Sequence, residues 1–151
     1  MDVSFYELTA TSLEKVLPKL LEKAYESGQH VVVILDTEER VQQMNSVLWT
    51  YSTLSFLPHA SSHDAPKDLS KVPIWLTTRL ENPNRAQILV ITTGEILSQN
   101  ESFQRCLDIF DGNHSESISQ AHIRYQSYQK QGIKCIFWRQ TLTGQWEKQS
   151  D

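Results

Sequence analysis

The sequence predicts a single α/β domain in which a mostly parallel, twisted sheet is flanked by helices. Three observations carry that prediction. Residues 31–35, Val-Val-Val-Ile-Leu, are apolar on both faces, as suits a strand at the centre of a sheet covered on each side. Strand-like runs alternate with helical periodicity in the order strand, helix, strand, helix, several strands, helix, strand. The chain of 151 residues, 39% hydrophobic and 21% charged, has the size and balance of one soluble globular domain spanning 1–151.

Each element has a local reason. Val3, Phe5 and Glu7 alternate with Ser4, Tyr6 and Leu8 in a short opening strand. A helix starts at Thr11 or Ser12 and runs to about Ser27, with Leu13, Val16, Leu17, Leu20, Leu21 and Ala24 on its buried face. Pro18 falls inside that pattern and predicts a local kink or a late start. Gly28 supplies a left-handed C-cap. After the strand at 31–35, Thr37-Glu38-Glu39 opens a second helix through Trp49, with Val41, Met44, Val47 and Leu48 turned inward.

Residues 50–71 hold no strong period. Residues 73–77 and 88–92 read as strands joined by the turn-rich Glu81-Asn82-Pro83-Asn84. The stretch 103–110 is apolar at Phe103, Cys106, Leu107, Ile109 and Phe110; its β-branched content is too small to separate strand from helix, and strand is the reading adopted. Residues 114–131 form a helix with Ile118, Ala121, Tyr125 and Tyr128 on one face, ended by Gly132. The last buried strand is 133–138. Thr143-Gly144 then turns, leaving 140–151 as a short hairpin or a frayed tail.

Charge and composition exclude several function classes. Fourteen Lys+Arg against eighteen Asp+Glu give a net charge of −4, which argues against general duplex-nucleic-acid binding. The longest apolar runs, 31–35 and 88–91, are far short of the ~20 residues that span a bilayer, and the N-terminus has no basic, cleavable leader pattern. Cys106 and Cys135 show no C-x-x-C spacing and read as free buried thiols in a reducing cytoplasm.

No chemistry emerges from the motifs. Glycines stand at 28, 94, 112, 132 and 144, too far apart to bring backbone against a phosphate, so the topology is Rossmann-like without a nucleotide-binding motif and no cofactor is expected. Asp36, after the second strand, then reads as a helix-capping or surface carboxylate. His59-x-x-x-His63-Asp64 has the spacing of a ligand pair on a helix, but the prolines and serines around it break helical spacing, and loop histidines are the simpler reading. The competing enzyme reading is a degenerate nucleotide-dependent α/β domain using Asp36 with the His59/His63 loop. No catalytic or metal residue is expected.

Two features do stand out. Leu48-Trp49 followed by Leu54-Ser55-Phe56-Leu57-Pro58-His59 places large apolar groups on an irregular segment, either as an anchor for a protein partner or as closure of the domain's own core. In the last helix, His122, Arg124 and Lys130 lie off the apolar stripe, Lys134 and Arg139 follow, and no acid occurs between Glu116 and Glu147. This local field of about four positive charges suits an acidic peptide, or else a solvated helix face.

At these residues the chain resembles the chi subunit family of bacterial DNA polymerase III holoenzyme, accessory clamp-loader proteins. The likeness covers about residues 3–140. It runs through Val3-Ser4-Phe5-Tyr6, Gly28-x-x-Val31, Leu48-Trp49, Ser55-Phe56-Leu57-Pro58-His59, Pro73-Ile74, Ile88-Leu89-Val90-Ile91 and Arg124-Tyr125-x-x-Tyr128-x-x-x-Gly132. The resemblance implies no catalysis, a 1:1 pairing with the psi subunit that joins it to the clamp loader, and binding of the acidic C-terminal tail of single-stranded DNA-binding protein. It puts Trp49, Phe56, Leu57, Pro58 and His59 in the psi-facing surface. It puts Arg124 and Tyr125 in the tail pocket, with His122, Lys130 and Phe110 as further contributors. The helix is less basic than the family pattern, with Gln126, Ser127 and Gln129 around Arg124.

Overall fold

The computed structural model describes residues 1–51, 58–61, 64, 68–97 and 102–149. In chain order the elements are β1 (Asp2–Leu8), α1 (Leu13–Glu26), β2 (Val31–Ile34), α2 (Glu38–Thr50), β3 (His59–Ser61), β4 (Ile74–Thr77), β5 (Ile88–Ile91), β6 (Arg105–Asp111), α3 (Ser115–Lys130), β7 (Lys134–Gln140) and β8 (Trp146–Gln149), with a 3-10 turn at Leu69–Lys71. The strands form one sheet in the order β3-β4-β2-β5-β6-β1-β7-β8. Its neighbours are parallel except β7 and β8, which form an antiparallel hairpin.

Alternation along each strand sends side chains to two separate cores. Tyr6, Leu8, Val31 and Val33 meet α1 and α2 through Val16, Leu17, Leu21, Val41, Met44 and Leu48. Val3, Phe5, Val32 and Ile34 face the other way and meet α3 through Ala121 and Tyr128. β1 lies between β6 and β7 and is buried from Val3 to Leu8. Its crossover through α1 reaches β2 on one face of the sheet, while that from β6 through α3 reaches β7 on the other.

The fold class and element order are those the sequence predicts, with local differences. The ambiguous stretch is a strand, starting at Arg105 rather than Phe103. The three-residue edge strand β3 lies where no period was visible; it is too short to show one and forms by pairing with β4. The last parallel strand runs on to Gln140, and the tail forms the hairpin rather than fraying. α1 begins at Leu13 and continues through Pro18, so the late start does not occur; the proline only deprives the Glu14 carbonyl of its helical donor. Gly28, at φ +75°, ends α1 as expected. Asp36 is an exposed carboxylate and not a cap, because the Thr37 hydroxyl accepts the Arg40 amide at 3.1 Å.

The cysteines are both free, Cys106 buried and Cys135 half-buried. Both register on Val3, one from each neighbouring strand, which separates them by about two strand spacings or roughly 10 Å, too far for a disulfide. Burial, aided by the Asp108 charge, pushes the Cys106 thiol pKa upward.

At the open end of β7, one side chain fixes a whole loop. Gln140 is 4% exposed, and its Oε1 accepts the amides of Thr9, Ala10 and Thr11 at 3.2, 2.9 and 3.0 Å. Its Nε2 donates to Thr11 Oγ1 at 2.7 Å and to the Gly144 carbonyl at 3.4 Å. Gln140 therefore joins the β1–α1 loop to the hairpin turn. Gln140→Ala strands three amides and is expected to lower unfolding free energy by about 2 kcal/mol. Urea denaturation at unchanged m-value measures the loss, and a change below about 0.5 kcal/mol would show that the loop holds itself.

Candidate functional site

The first candidate surface lies at the β3 edge. Trp49 closes α2 on its outward side and is 57% exposed, with its indole tilted across the His59 ring at 5.3 Å. Pro58 and His59 are half-buried beside it, and Phe56 and Leu57 lie outside the described residues. α2 places Trp49 outward because its inward stripe is Val41, Met44 and Leu48, and the residue after Leu48 is rotated by about 100°. Trp49 is thus not the core closure that the sequence left open.

The second surface lies around α3, and here the structure redistributes the expected residues. Arg124 is not on a solvated face. It is 5% exposed, and its Nε and Nη2 donate to the two carboxylate oxygens of Asp108 at 2.8 and 3.0 Å. Burial lifts the Asp108 pKa, and the guanidinium's hydrogen bonds and charge offset part of that rise. A Cβ at Gly94 would lie 3.3 Å from Arg124 Nη1, so Gly94 lets the β5–β6 connection pass against the guanidinium. One turn on, Tyr128 is fully buried and its hydroxyl accepts the Leu97 amide at 2.9 Å, with burial pushing its pKa up to about 12.

The remaining residues gather around Phe137 of β7. His122 is exposed and stacks on that ring at 5.3 Å; Tyr125, half-buried, meets it edge-on at 6.0 Å; Phe110, buried, meets it edge-on at 5.7 Å. Two residues apart on a helix, His122 and Arg124 point roughly 160° apart about the axis, so the structure does not join them in one pocket. Lys130, exposed in the last turn, lies nearer the His122 flank. Arg124 and Phe110 instead line a crevice of about 560 Å³ with Thr93, Gly94 and the start of α3. The expected positive field is also smaller than the sequence suggests, because Asp108 neutralises Arg124 and Glu7 Oε2 pairs with Arg139 Nε at 2.5 Å.

Sequence reasoning missed Asp108 and Phe137. A signal for Asp108 existed: one acid inside Cys-Leu-Asp-Ile-Phe is a charge in an apolar strand and demands a buried partner. Phe137 carried no signal, since a phenylalanine in a buried strand is unremarkable until four rings, Phe5 among them, converge on it.

Among the described residues, Asp36 and His59 of the enzyme reading are not brought together. Asp36 stands just before α2 and His59 packs at its far end, about 20 Å away along a helix of that length; His63 lies outside the described residues. Among the described residues no group of three or more His, Cys, Asp or Glu could hold a metal ion, and no helix is long and apolar enough to cross a membrane. The strands β1 and β6 send their crossovers to opposite faces, and the crevice of about 450 Å³ at their ends is lined by Thr9, Thr11 and an Arg40 engaged with Glu14 at 2.6 Å.

The fold and these surfaces define a class: a parallel α/β domain with an open switch-point crevice, no glycine-rich phosphate loop, and an exposed aromatic anchor at one sheet edge. Comparison with known proteins gives the family. The family described as DNA polymerase III chi subunit, HolC, matches residues 1–135. A probable DNA polymerase III subunit chi of Rickettsia prowazekii is 31% identical over 152 residues, covering 96% of this chain and 90% of the relative. DNA polymerase III subunit chi of Haemophilus influenzae is 27% identical, covering 85% and 90%, and that of Escherichia coli is 23% identical, covering 82% of each. Among solved structures, the C-terminal domain of yeast Dbp5, bound there to Gle1 and IP6, superposes with a TM-score of 0.56 at 5% identity over 91% of this chain and 90% of that one, a likeness of fold alone. The chain belongs to the DNA polymerase III chi subunit family, which implies an accessory role in DNA replication.

The Arg124–Asp108 pair governs how α3 sits on the sheet. Asp108→Ala leaves a buried guanidinium uncompensated and is expected to cost about 3–5 kcal/mol. Thermal or urea unfolding reads it, and a loss under about 1 kcal/mol would mean that the pair is hydrated.

Proposed function

We propose that the chain is a non-catalytic adaptor of the replisome, linking the psi subunit of the clamp loader to the acidic C-terminal tail of single-stranded DNA-binding protein. The observation that carries the reading is Trp49. A tryptophan more than half exposed at a sheet edge, braced by a histidine ring, is the kind of large apolar group that forms the centre of protein interfaces. With Pro58, His59 and, next to them in sequence, Phe56 and Leu57, it forms the psi-facing surface, in a 1:1 complex that reaches the clamp loader through psi. The adaptor works in the bacterial cytoplasm without a membrane or a cofactor.

The tail site lies on α3. His122 and Tyr125 offer an aromatic ledge over Phe137, and Lys130 supplies a cation for the tail's carboxylates. Arg124 and Phe110 border the neighbouring crevice. Arg124, with two of its nitrogens committed to Asp108, can offer Nη1 there, while Phe110 supplies a ring in a lining otherwise made of polar side chains and Gly94.

Trp49→Ala is expected to abolish co-purification with psi while circular dichroism stays native, since so exposed a ring contributes little to the core. Retained co-purification would remove Trp49 from the interface, and lost helicity would make it structural. For the tail, the double change His122→Ala with Lys130→Ala is expected to weaken peptide binding by about 1.5 kcal/mol in titration calorimetry. Unchanged affinity would take the tail off this flank. Arg124→Ala is unsuited to the same test because it also strands a buried Asp108 carboxylate.

A further inference from the structure

A groove of about 780 Å³ lies between α1 and the β7–β8 hairpin, the sheet edge opposite β3, and reaches Tyr51 at the end of α2. The match to the family model ends at residue 135, near the start of β7. Its floor is aromatic. Tyr6 of β1 registers on Trp138 of β7, and Tyr6 meets Trp146 of β8 edge-on at 5.2 Å. Trp138 pairs with Lys148 and Gln140 with Trp146, so the two tryptophans are diagonal neighbours on one face, at backbone positions about 7 Å apart, and both are only half-buried. The Gln140 network holds this hairpin against the β1–α1 loop, so the floor is fixed before any ligand arrives.

The wall is cationic. Lys15, Lys19 and Lys23 line it at four-residue intervals along α1, about 6 Å apart along the axis, and all three are exposed. Lys148 stands on the same face as Trp138. Among the described residues none of these four lysines makes an ion pair, and the one acid lining the groove, Glu14, is engaged by Arg40. Glu22, on the same helix, engages the Tyr51 hydroxyl at the end of the groove, so the lysine row, and not an acid, faces the two partly open indoles.

We propose that this groove binds a short stretch of single-stranded nucleic acid, with bases stacking on Trp138 and Trp146 and phosphates tracking the row Lys15, Lys19, Lys23. Flat rings set apart on a rigid floor serve successive unpaired bases, and cations at regular intervals serve a backbone of regular charge. An acidic peptide would use the lysines equally well but has no use for two spaced stacking platforms. A duplex would hide its base faces and forfeit the floor. The site is local, which reconciles it with an acidic protein that carries no general positive field. The inference stands apart from the adaptor reading, whose surfaces are Trp49 and α3.

The test titrates labelled oligo(dT) into the full chain at low salt, following anisotropy and tryptophan quenching. Saturable binding that quenches tryptophan and falls steeply with salt is expected. The triple change Lys15→Gln, Lys19→Gln, Lys23→Gln, confined to exposed side chains, is expected to weaken it about tenfold or more. It should also flatten the log–log salt slope by about 2, near 0.7 for each phosphate no longer neutralised. Trp146→Leu, which keeps apolar packing on Tyr6, should weaken binding and reduce the quenching while leaving that slope in place. The proposal is overturned by absence of saturable binding, by indifference to the triple change, by equal affinity for duplex, or by a polyglutamate peptide that binds this groove and is not displaced by oligo(dT).

Discussion

The sheet's need for cover is the constraint on which the rest of this molecule depends. Eight strands at about 4.8 Å spacing make a sheet roughly 34 Å wide, whereas a helix with its side chains covers only about 10 Å. Three helices cannot close both faces of such a sheet. α1 and α2 take one face and α3 the other, with the described connections between β4 and β6 filling part of the remainder. Cover fails at the two ends. At one, Trp49 and the short β3 face outward; at the other, Trp138 and Trp146 line an open groove beside α1.

Those ends differ in character because the helices that border them differ. α2 ends in uncharged residues, so its exposed indole sits in an uncharged setting suited to a protein partner. α1 carries a lysine row on the flank facing the hairpin, so the indoles there sit beside positive charge. The centre of the sheet is closed differently again. Asp108 and Arg124 put an ion pair where a third apolar layer would otherwise be, and both partners' hydrogen bonds point at each other. Such a pair adds little net stability over an apolar replacement, but removing either half is costly. It fixes the rotation and depth of α3, and with them the positions of His122 and Tyr125 over Phe137.

Much of this fold was legible in the sequence. Apolar runs such as Val31–Ile34 and the periodic stripe of α1 follow from local periodicity alone, and Gly28 and Thr37 mark helix ends by their own backbone and side-chain chemistry. The edge strand β3 was not legible, since three residues show no period and each pairing partner lies fifteen residues away. The hairpin was legible only as an alternative to fraying, because Trp146–Gln149 gains its order from pairing with β7.

Of the functional surfaces, sequence by itself determined the residue types, the family likeness and the want of a phosphate loop, because these depend on identity and spacing along the chain. The tertiary structure decided which charges remain available. Helical periodicity placed Arg124 beside the apolar stripe, yet only the approach of β6 to α3 supplies Asp108 and takes that charge out of solvent. In the same way Lys15, Lys19 and Lys23 are an ordinary helix flank until the last strand folds back and sets two indoles opposite them. Local sequence fixes what a side chain is; a neighbour distant in the chain fixes whether its charge is spent internally or left for a partner.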